Sequence, residues 1–449
     1  MKAMIGPERQ GRCKEMSAQT FESTLKIPAH PSFLQMFKIF AKIGILSFGG
    51  PAAQISLMHR FLVEENSWLT EKQFLNALSF CMLLPGPEAM QLATYAGWRL
   101  HGLKGGLAAG LLFVLPGAAI VLTLAIVYAT LGSVPMVSAL FLGVKAAVLI
   151  IVIEALLRVA KRALKSSIHW MIAGAAFVGL FFLSLPYPLI VFAAGLYGFC
   201  FQPRASDDDI AEIKATTSVQ KTIFTILVWL VIWLIPIALI DPIFASSLLG
   251  TIGTFFSKLA VVTFGGAYAV LAYMAQDVVV QFGWLTAGEM MDGLGLAETT
   301  PGPLILVTEF VGFIAAFREG GMAAGLAGAA ITLWATFVPC FLWIFAGAPY
   351  IDWISTRPRL SGALMAITAA VVGVIMNLSI WFGLHVLFAA VTLEEYGFIT
   401  LWRPEFASID WRVALLSAIC GLLLLRLHWG IGRVLVLSSL AGWALITLT

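Results

Sequence analysis

Residues 74–98 form an apolar segment interrupted near its centre by Leu83-Leu84-Pro85-Gly86-Pro87-Glu88. Proline inside a helix removes a backbone hydrogen bond and collides with the preceding turn. Two prolines around a glycine therefore split such a segment into two half-helices. The break recurs 216 residues later (85 to 301) as Thr299-Thr300-Pro301-Gly302-Pro303. The same offset carries Ser47-Phe48-Gly49-Gly50 onto Thr263-Phe264-Gly265-Gly266, and Trp68-Leu69-Thr70 onto Trp284-Leu285-Thr286. Three motifs at one spacing mark an internal duplication, and each copy must accommodate a broken helix. Gly105-Gly106 with Gly110 pairs with Gly320-Gly321 and Gly325, small residues spaced for close helix approach. Further on, Pro116 matches Pro339, and Lys145-Ala146-Ala147-Val148 matches Thr368-Ala369-Ala370-Val371, at an offset of 223 (116 to 339). That register sets Glu154 opposite Asn377.

The environment follows from composition. Of the 449 residues 60% are hydrophobic and 11% charged, against about 25% charged in a soluble domain. Apolar stretches long enough to span a bilayer recur from Phe33 onward. The expected fold is an all-α polytopic membrane protein of two homologous repeats. Counting each broken segment as one crossing gives about 13 spans. Residues 1–32 form a polar cytoplasmic tail, 33–202 the first repeat, 203–248 a cytoplasmic linker with a connecting span, and 249–449 the second repeat. With the N-terminus inside, the basic clusters at 99–104, 158–165, Arg204/Lys214/Lys221, Arg357/Arg359 and Arg426/Arg433 fall on the cytoplasmic side, as the positive-inside rule requires. Arg318, Arg403 and Arg412 fall outside. These loop charges favour crossing over re-entrant segments, and the two first spans are then about seven apart, an odd separation that makes the repeats inverted.

Several function classes are excluded. Cys13, Cys81, Cys200, Cys340 and Cys420 are scattered, with no CxxC and no neighbouring histidine cluster, so neither a disulfide framework nor a metal site is indicated. There is no Walker loop, GxSxG or HExxH. Neither an enzyme nor a cofactor is expected. A net charge of +3 is too small to argue for nucleic acid. The expected partners are the lipid bilayer and a small solute, and a homodimer is compatible with the chain.

Inverted repeats with interrupted helices are a recurring plan of secondary transporters, which hold substrate near the midplane at exposed half-helix ends. Half-helices starting after Pro87 and Pro303 present unpaired N–H groups and a positive dipole end, which suits an anion. Lys42 and Lys258 hold equivalent positions before the Ser/Thr-Phe-Gly-Gly turns; each can serve a substrate or snorkel to the interface. Lys145 sits mid-span, where a lysine costs about 2.5–3.5 kcal/mol on insertion scales, so it must face a cavity, a carboxylate or an anion. Glu88, Glu154, Glu298 and Glu309 are intramembrane carboxylates, candidates for proton coupling or for ion pairs. Ser47, Gln91, Thr94, Thr263, Thr299, Thr300 and Thr308 can hydrogen-bond an oxyanion or bond back to helix carbonyls. Gly49, Gly50, Gly86, Gly265, Gly266 and Gly302 permit the backbone turns that bring such groups together.

Ser47-Phe48-Gly49-Gly50-Pro51, Leu84-Pro85-Gly86-Pro87-Glu88, the run Gln91-Leu92-Ala93-Thr94-Tyr95 with Gly97-Trp98-Arg99, and the second-copy Thr263-Phe264-Gly265-Gly266 and Thr300-Pro301-Gly302-Pro303 resemble the long-chain chromate ion transporter family. The resemblance covers the chain from about Phe33 onward. It implies two homologous halves, the bacterial inner membrane and export of chromate, a tetrahedral dianion like sulfate. It places the substrate at these motifs, Arg99 included. Glu88, Gln91 and Arg99 have no like residue in the second copy, so the first half is expected to supply more of the polar contacts. The alternatives are uptake or exchange of sulfate or a related oxyanion, and a passive anion channel, which would need a continuous basic pore.

Overall fold

The computed structural model describes residues 31–131, 134–201, 218–244, 247–264, 267–351, 358–397 and 399–448. Residues 1–30, residues 202–217 with Arg204 and Lys214, Gly265-Gly266 and Arg357 lie outside the described residues. Each repeat opens with three short helices. In the first these are α1 (Phe33–Leu46), α2 (Gly50–His59, continued by a π-helical turn Arg60–Glu65) and α3 (Glu71–Cys81). Left-handed backbone at Gly49 (φ 86°) and Gly50 (φ 77°) separates α1 from α2, which explains glycine at both positions. The repeated Trp-Leu-Thr motif is a helix start. Thr70 Oγ1 accepts from Gln73 N–H, the Gln73 side chain accepts from Thr70 N–H, and Thr286 with Glu289 repeats this capping box ahead of the second copy's third helix.

After the first Pro-Gly-Pro comes α4 (Glu88–Leu131), two arms joined by a reversal at His101 (φ −137°, ψ 27°) and Gly102 (φ 59°, ψ −149°). Gly97 and Gly105 touch across this reversal, and a Cβ on either would run into the other's carbonyl oxygen. Then follow α5 (Pro135–Ala163), the shorter α6 (Ser167–Phe181) and α7 (Tyr187–Phe201), and the connecting α8 (Val219–Phe244).

The second repeat runs α9 (Ser247–Val262), α10 (Ala267–Gln276 with a π-helical turn Asp277–Gln281), α11 (Ala287–Thr299), α12 (Val307–Gly347) and α13 (Pro358–Leu387). Its reversal lies at Gly320 (φ −134°, ψ 17°) and Gly321 (φ 69°, ψ −157°), the conformation of His101-Gly102. The glycine pair 320–321 therefore corresponds to the turn at 101–102, not to Gly105-Gly106 as its sequence spacing implies. The chain ends with a two-stranded antiparallel hairpin, β1 (Val391–Tyr396) and β2 (Ile399–Pro404), then α14 (Trp411–Gly421, continued by a π-helical turn Leu422–Arg426) and α15 (Ile431–Leu448). The hairpin departs from the all-α expectation. Its polar, β-branched stretch closes through Gly397 (φ 67°), and the Tyr396 hydroxyl and Arg403 hold the Glu394 carboxyl below the usual range.

The structure is mostly helical, and six of the described helical segments are long and apolar enough to cross a membrane. The six half-helices α1–α3 and α9–α11 are not among them. At 10 to 16 residues each, they measure about 15–24 Å at 1.5 Å per residue, short of a hydrocarbon core of about 30 Å. The expected single crossing through the second break is replaced by a fold-back. Arg318, just before the 320–321 reversal, donates to Trp284 O and pairs with Glu289, at the start of α11. The first arm of α12 therefore returns alongside α11, with the Pro301-Gly302-Pro303 turn at the tip.

The long helices interleave the repeats. First-repeat α5 packs against α14 and α15 of the second, while second-repeat α13 packs against α6 and α7 of the first. Small residues make these contacts possible. Ser438 Oγ donates to Gly143 O at 2.7 Å, and a Cβ at Gly198 or Gly373 would strike the backbone of the helix it faces.

Candidate functional site

The four chain breaks meet in pairs, and each pair joins the two repeats. Gly86 N–H donates to Thr263 O at 2.8 Å, and Gly302 N–H donates to Ser47 O at 2.8 Å. Each Pro-Gly-Pro turn is thus tied to the Ser/Thr-Phe-Gly-Gly turn of the other copy. Left-handed backbone at Gly86 (φ 119°) and Gly302 (φ 95°) aims these N–H groups. The second arms of α4 and α12 close the crossings. Gly117 lies against Pro301 O, and Cys340, its match at offset 223, lies against Gly86.

Two glutamines lock the crossings. Gln91 Nε2 donates to Pro85 O at 2.7 Å. Gln54 Nε2 reaches Ser47 O at 3.2 Å and Gly302 O at 2.6 Å. Both residues are buried, and each Oε1 lacks a hydrogen-bond partner. Gln54 was not singled out from sequence, since nothing local distinguishes it from any polar residue on a short helix.

The hydroxyls expected to bind an anion are occupied. Ser47 Oγ donates to Ile43 O and Thr263 Oγ1 to Leu259 O, both at 2.6 Å. Thr94, Thr299, Thr300 and Thr308 likewise bond to carbonyls three or four residues back. These groups shape the breaks.

The charged candidates separate into three places. Lys42 is exposed, with Nζ 4.8 Å from the centre of the Phe61 ring, and Lys258 is exposed too, as snorkelling lysines are. Arg99 is exposed at the 101–102 reversal, an arm's length from the breaks. Lys145 is joined to Asp292, with Nζ 3.5 Å from Oδ2, and Tyr128 Oη donates to the same oxygen at 2.8 Å. Its costly position is met by a carboxylate of the other repeat. Asp292 is 3% exposed and its Oδ1 has no partner.

A third group does lie at the breaks. Glu88 opens α4 directly after Pro87 and has Arg162 as its charged neighbour; Arg162 also reaches Met82 Sδ at 3.5 Å. Glu298, two residues before Thr300, accepts from Tyr268 Oη at 2.6 Å and has Arg158 and Glu154 as charged neighbours. Glu154 and Arg158 pair with each other, and the Arg158 side chain is 53% exposed. Read from sequence, Arg158 and Arg162 belong to a cytoplasmic basic cluster. In the structure the end of α5 carries them beside both breaks. The i, i+4 series Glu154, Arg158, Arg162 was the available signal, one face of a helix lined with charge. Glu309 stands apart. It lies in the first turn of α12, 1% exposed, and its Oε2 is unpartnered.

The first N–H groups of α4 have no intrahelical acceptor and adjoin half-buried Glu88. In the second break a 3₁₀ turn, Leu304–Leu306, precedes α12 and is fully buried. At the first break the following half-helix therefore opens on half-buried Glu88 beside exposed Arg162, whereas at the second it opens on buried apolar residues and the nearby guanidinium, Arg158, lies beside Glu298 on the preceding half-helix.

Comparison with known proteins agrees with this two-part architecture. The family described as Chromate transporter matches residues 34–199 and again 250–444. A probable chromate transport protein of Synechococcus elongatus is 29% identical over 411 residues, 90% of this chain and 98% of its own length. The chromate transport protein of Pseudomonas aeruginosa is 31% identical over 400 residues, 87% of this chain and 89% of its own. An uncharacterized transporter of Methanocaldococcus jannaschii is 27% identical over 402 residues, 88% of this chain and 95% of its own. No solved structure matches the chain.

Proposed function

The chain belongs to the chromate transporter family, a family of transporters and not of enzymes, and from that premise we propose that it exports chromate by alternating access at the paired breaks. The observation that carries this reading is the pairing itself. Two inter-repeat hydrogen bonds, Gly86 to Thr263 and Gly302 to Ser47, hold four helix ends together beside Arg158 and Arg162. A tetrahedral dianion suits that place. Guanidinium groups bind oxyanions in fork geometry, and the open N-terminus of α4 adds N–H donors and a favourable dipole. Glu88 and Glu298 lie where a proton or the substrate can compete for the same arginines, which makes them the coupling candidates. Lys145 keeps its repeats in register through Asp292.

We read the repeats as inverted and the half-helix pairs as re-entrant. The second arm of α4 leaves the 101–102 reversal, and near its far end Tyr128 bonds Asp292, on the helix whose start adjoins the 320–321 reversal. The two reversals then lie on opposite faces. Re-entrant pairs add no crossings, so the α4 second arm, α5 and α8 separate the two first helices, an odd number whether the pair of 15-residue helices α6 and α7 crosses twice or folds back. The first repeat is taken as 33–202 and the second as 249–449. With the N-terminus inside a bacterial inner membrane, the clusters around 99–104, 158–165 and 426–433 face the cytoplasm and the β-hairpin faces out, in accord with the positive-inside rule.

The test is flux of labelled chromate and sulfate in proteoliposomes under imposed pH and counter-anion gradients. Chromate movement that saturates and responds to a gradient is expected. Unsaturable flux would make the protein a channel, and preference for sulfate would reassign the substrate.

A further inference from the structure

On the face that carries the β-hairpin, a cavity of about 280 Å³ opens between the α6–α7 turn, α10 and α13. A smaller one of about 160 Å³ adjoins it and shares Ser184, Gln276, Gln281 and Asn377. Both are smaller than the roughly 300–1,000 Å³ typical of sites for drug-sized ligands, so a small ion with its waters fits better than an organic solute. The inner end touches the transport machinery. Tyr187, 1% exposed, lies against Phe264 in the Thr263-Phe264 break and stacks on Tyr273 with ring centroids 5.4 Å apart.

The polar lining is unusual in its partners. The Tyr187 hydroxyl, close to the Phe264 backbone, has no acceptor for its proton, and Trp381 Nε1 has none either, although Trp381 is only 4% exposed. Buried polar groups in native proteins nearly always find a partner, and an indole N–H can only donate. These groups call for an acceptor. No lysine or arginine is among the described residues lining either cavity, and the one carboxylate, Asp277, is hydrogen-bonded by Tyr273.

We propose that this vestibule is a release site for the tetrahedral oxyanion, held by neutral donors from Tyr187, Trp381, Gln276, Gln281 and Asn377 and kept weak by Asp277. The proposal rests on the oxyanion-transport reading above. Neutral dipoles can hold a desolvated anion through charge-assisted hydrogen bonds. A facing carboxylate repels it strongly at low dielectric, so the ion arriving from the breaks is loosely bound and leaves.

The experiment measures the chromate KM separately at each face of oriented proteoliposomes, with sidedness set by protease access to the hairpin. Tyr187→Phe and Trp381→Phe keep the aromatic packing and should each raise KM at the hairpin face at least fivefold, while KM at the opposite face stays within twofold. Asp277→Asn, which changes charge and almost no volume, should lower KM at the hairpin face severalfold. Active variants whose two KM values are unchanged, or shift equally at both faces, overturn the release site and leave the transport reading intact. If the unmodified protein moves neither chromate nor sulfate, the transport reading itself fails, and the release site with it.

Discussion

At the first Pro-Gly-Pro turn, the following half-helix begins at half-buried Glu88, faces Arg162, and is braced by Gln91. At the second, the following residues are Leu304, Ile305 and Leu306, all buried, and the brace is Gln54, supplied by the other repeat. The backbones are alike, down to left-handed Gly86 and Gly302 and the matching cross-repeat hydrogen bonds. The difference is in what surrounds them. Duplication supplied two equivalent turns, and substitution has left the half-helix after one open to charge and the half-helix after the other closed. A two-fold scaffold can therefore surround its two equivalent turns with different chemistry.

The most severe way to break this comparison is to mend each helix. Replacing Pro85-Gly86-Pro87 by three alanines favours a continuous helix, since alanine is better than proline by about 3 kcal/mol and than glycine by about 1 kcal/mol per position. Chromate binding measured by calorimetry and flux in liposomes should both be lost. The same change at Pro301-Gly302-Pro303 should stop flux and leave weak binding. Equal binding by the first variant and the parent would remove the open turn from the site.

Next in size are the arginines. Arg162→Gln and Arg158→Gln each remove a guanidinium beside a break and should lower chromate kcat/KM at least tenfold, about 1.4 kcal/mol or more in transition-state terms. Arg99→Gln, away from the breaks, should change it less than twofold. If Arg99 proves the more damaging, the site lies toward the 101–102 reversal.

A third test concerns the ion pair between repeats. Lys145→Met leaves Asp292 without its cation, and breaking a buried pair costs about 3–5 kcal/mol; with the Lys145 side chain 30% exposed, the lower end applies. Thermal unfolding in detergent should show a clear loss that Asp292→Leu in the same chain largely restores. If the double variant is stable and also transports, Lys145 serves architecture and not substrate. Loss of transport despite restored stability would return it to the site.

The smallest effect expected is at the braces. Gln91→Leu and Gln54→Leu each leave a buried carbonyl unpaired, worth about 1–3 kcal/mol. Gln91→Leu should also raise the chromate KM, whereas Gln54→Leu should lower stability and leave KM unchanged. Identical KM shifts would mean that both turns contact substrate after all.

The duplication and the breaks were legible because each is local, while the Trp-Leu-Thr repeat was seen only as a motif and its capping role came from the structure. Proline geometry and glycine turns act within a few positions of themselves. The crossing of the breaks was not, since it depends on which carbonyl meets Gly86 N–H from about 180 residues away (86 to 263), and no local pattern encodes that. The half-helices were misread as crossing segments because a hairpin of two apolar arms has the composition of one longer span. The reversal at His101-Gly102 was legible as the basic 99–104 loop between two apolar segments. Lys145 was correctly marked as needing a counterpart, yet Asp292 went unnoticed because it sits on a helix of modest polarity in the other copy. Arg158 and Arg162 were visible as a basic cluster, but their approach to Glu298 and Glu88 is a tertiary contact that the cluster itself does not encode.

The interleaving of α5 with α14 and α15, and of α13 with α6 and α7, also bears on how the chain is made. When α5, α6 and α7 leave the ribosome, the helices that will cover them are more than 150 residues from being synthesised (201 to 358). The first half must therefore wait in the bilayer with glycine-lined faces such as Gly143 and Gly198 uncovered. Contacts this distant in sequence form late and slowly, and exposed intermediates are open to mispairing with neighbouring chains. Truncation after α8 should then leave a first half that inserts but is promptly degraded, and supplying the second half as a separate polypeptide should rescue it.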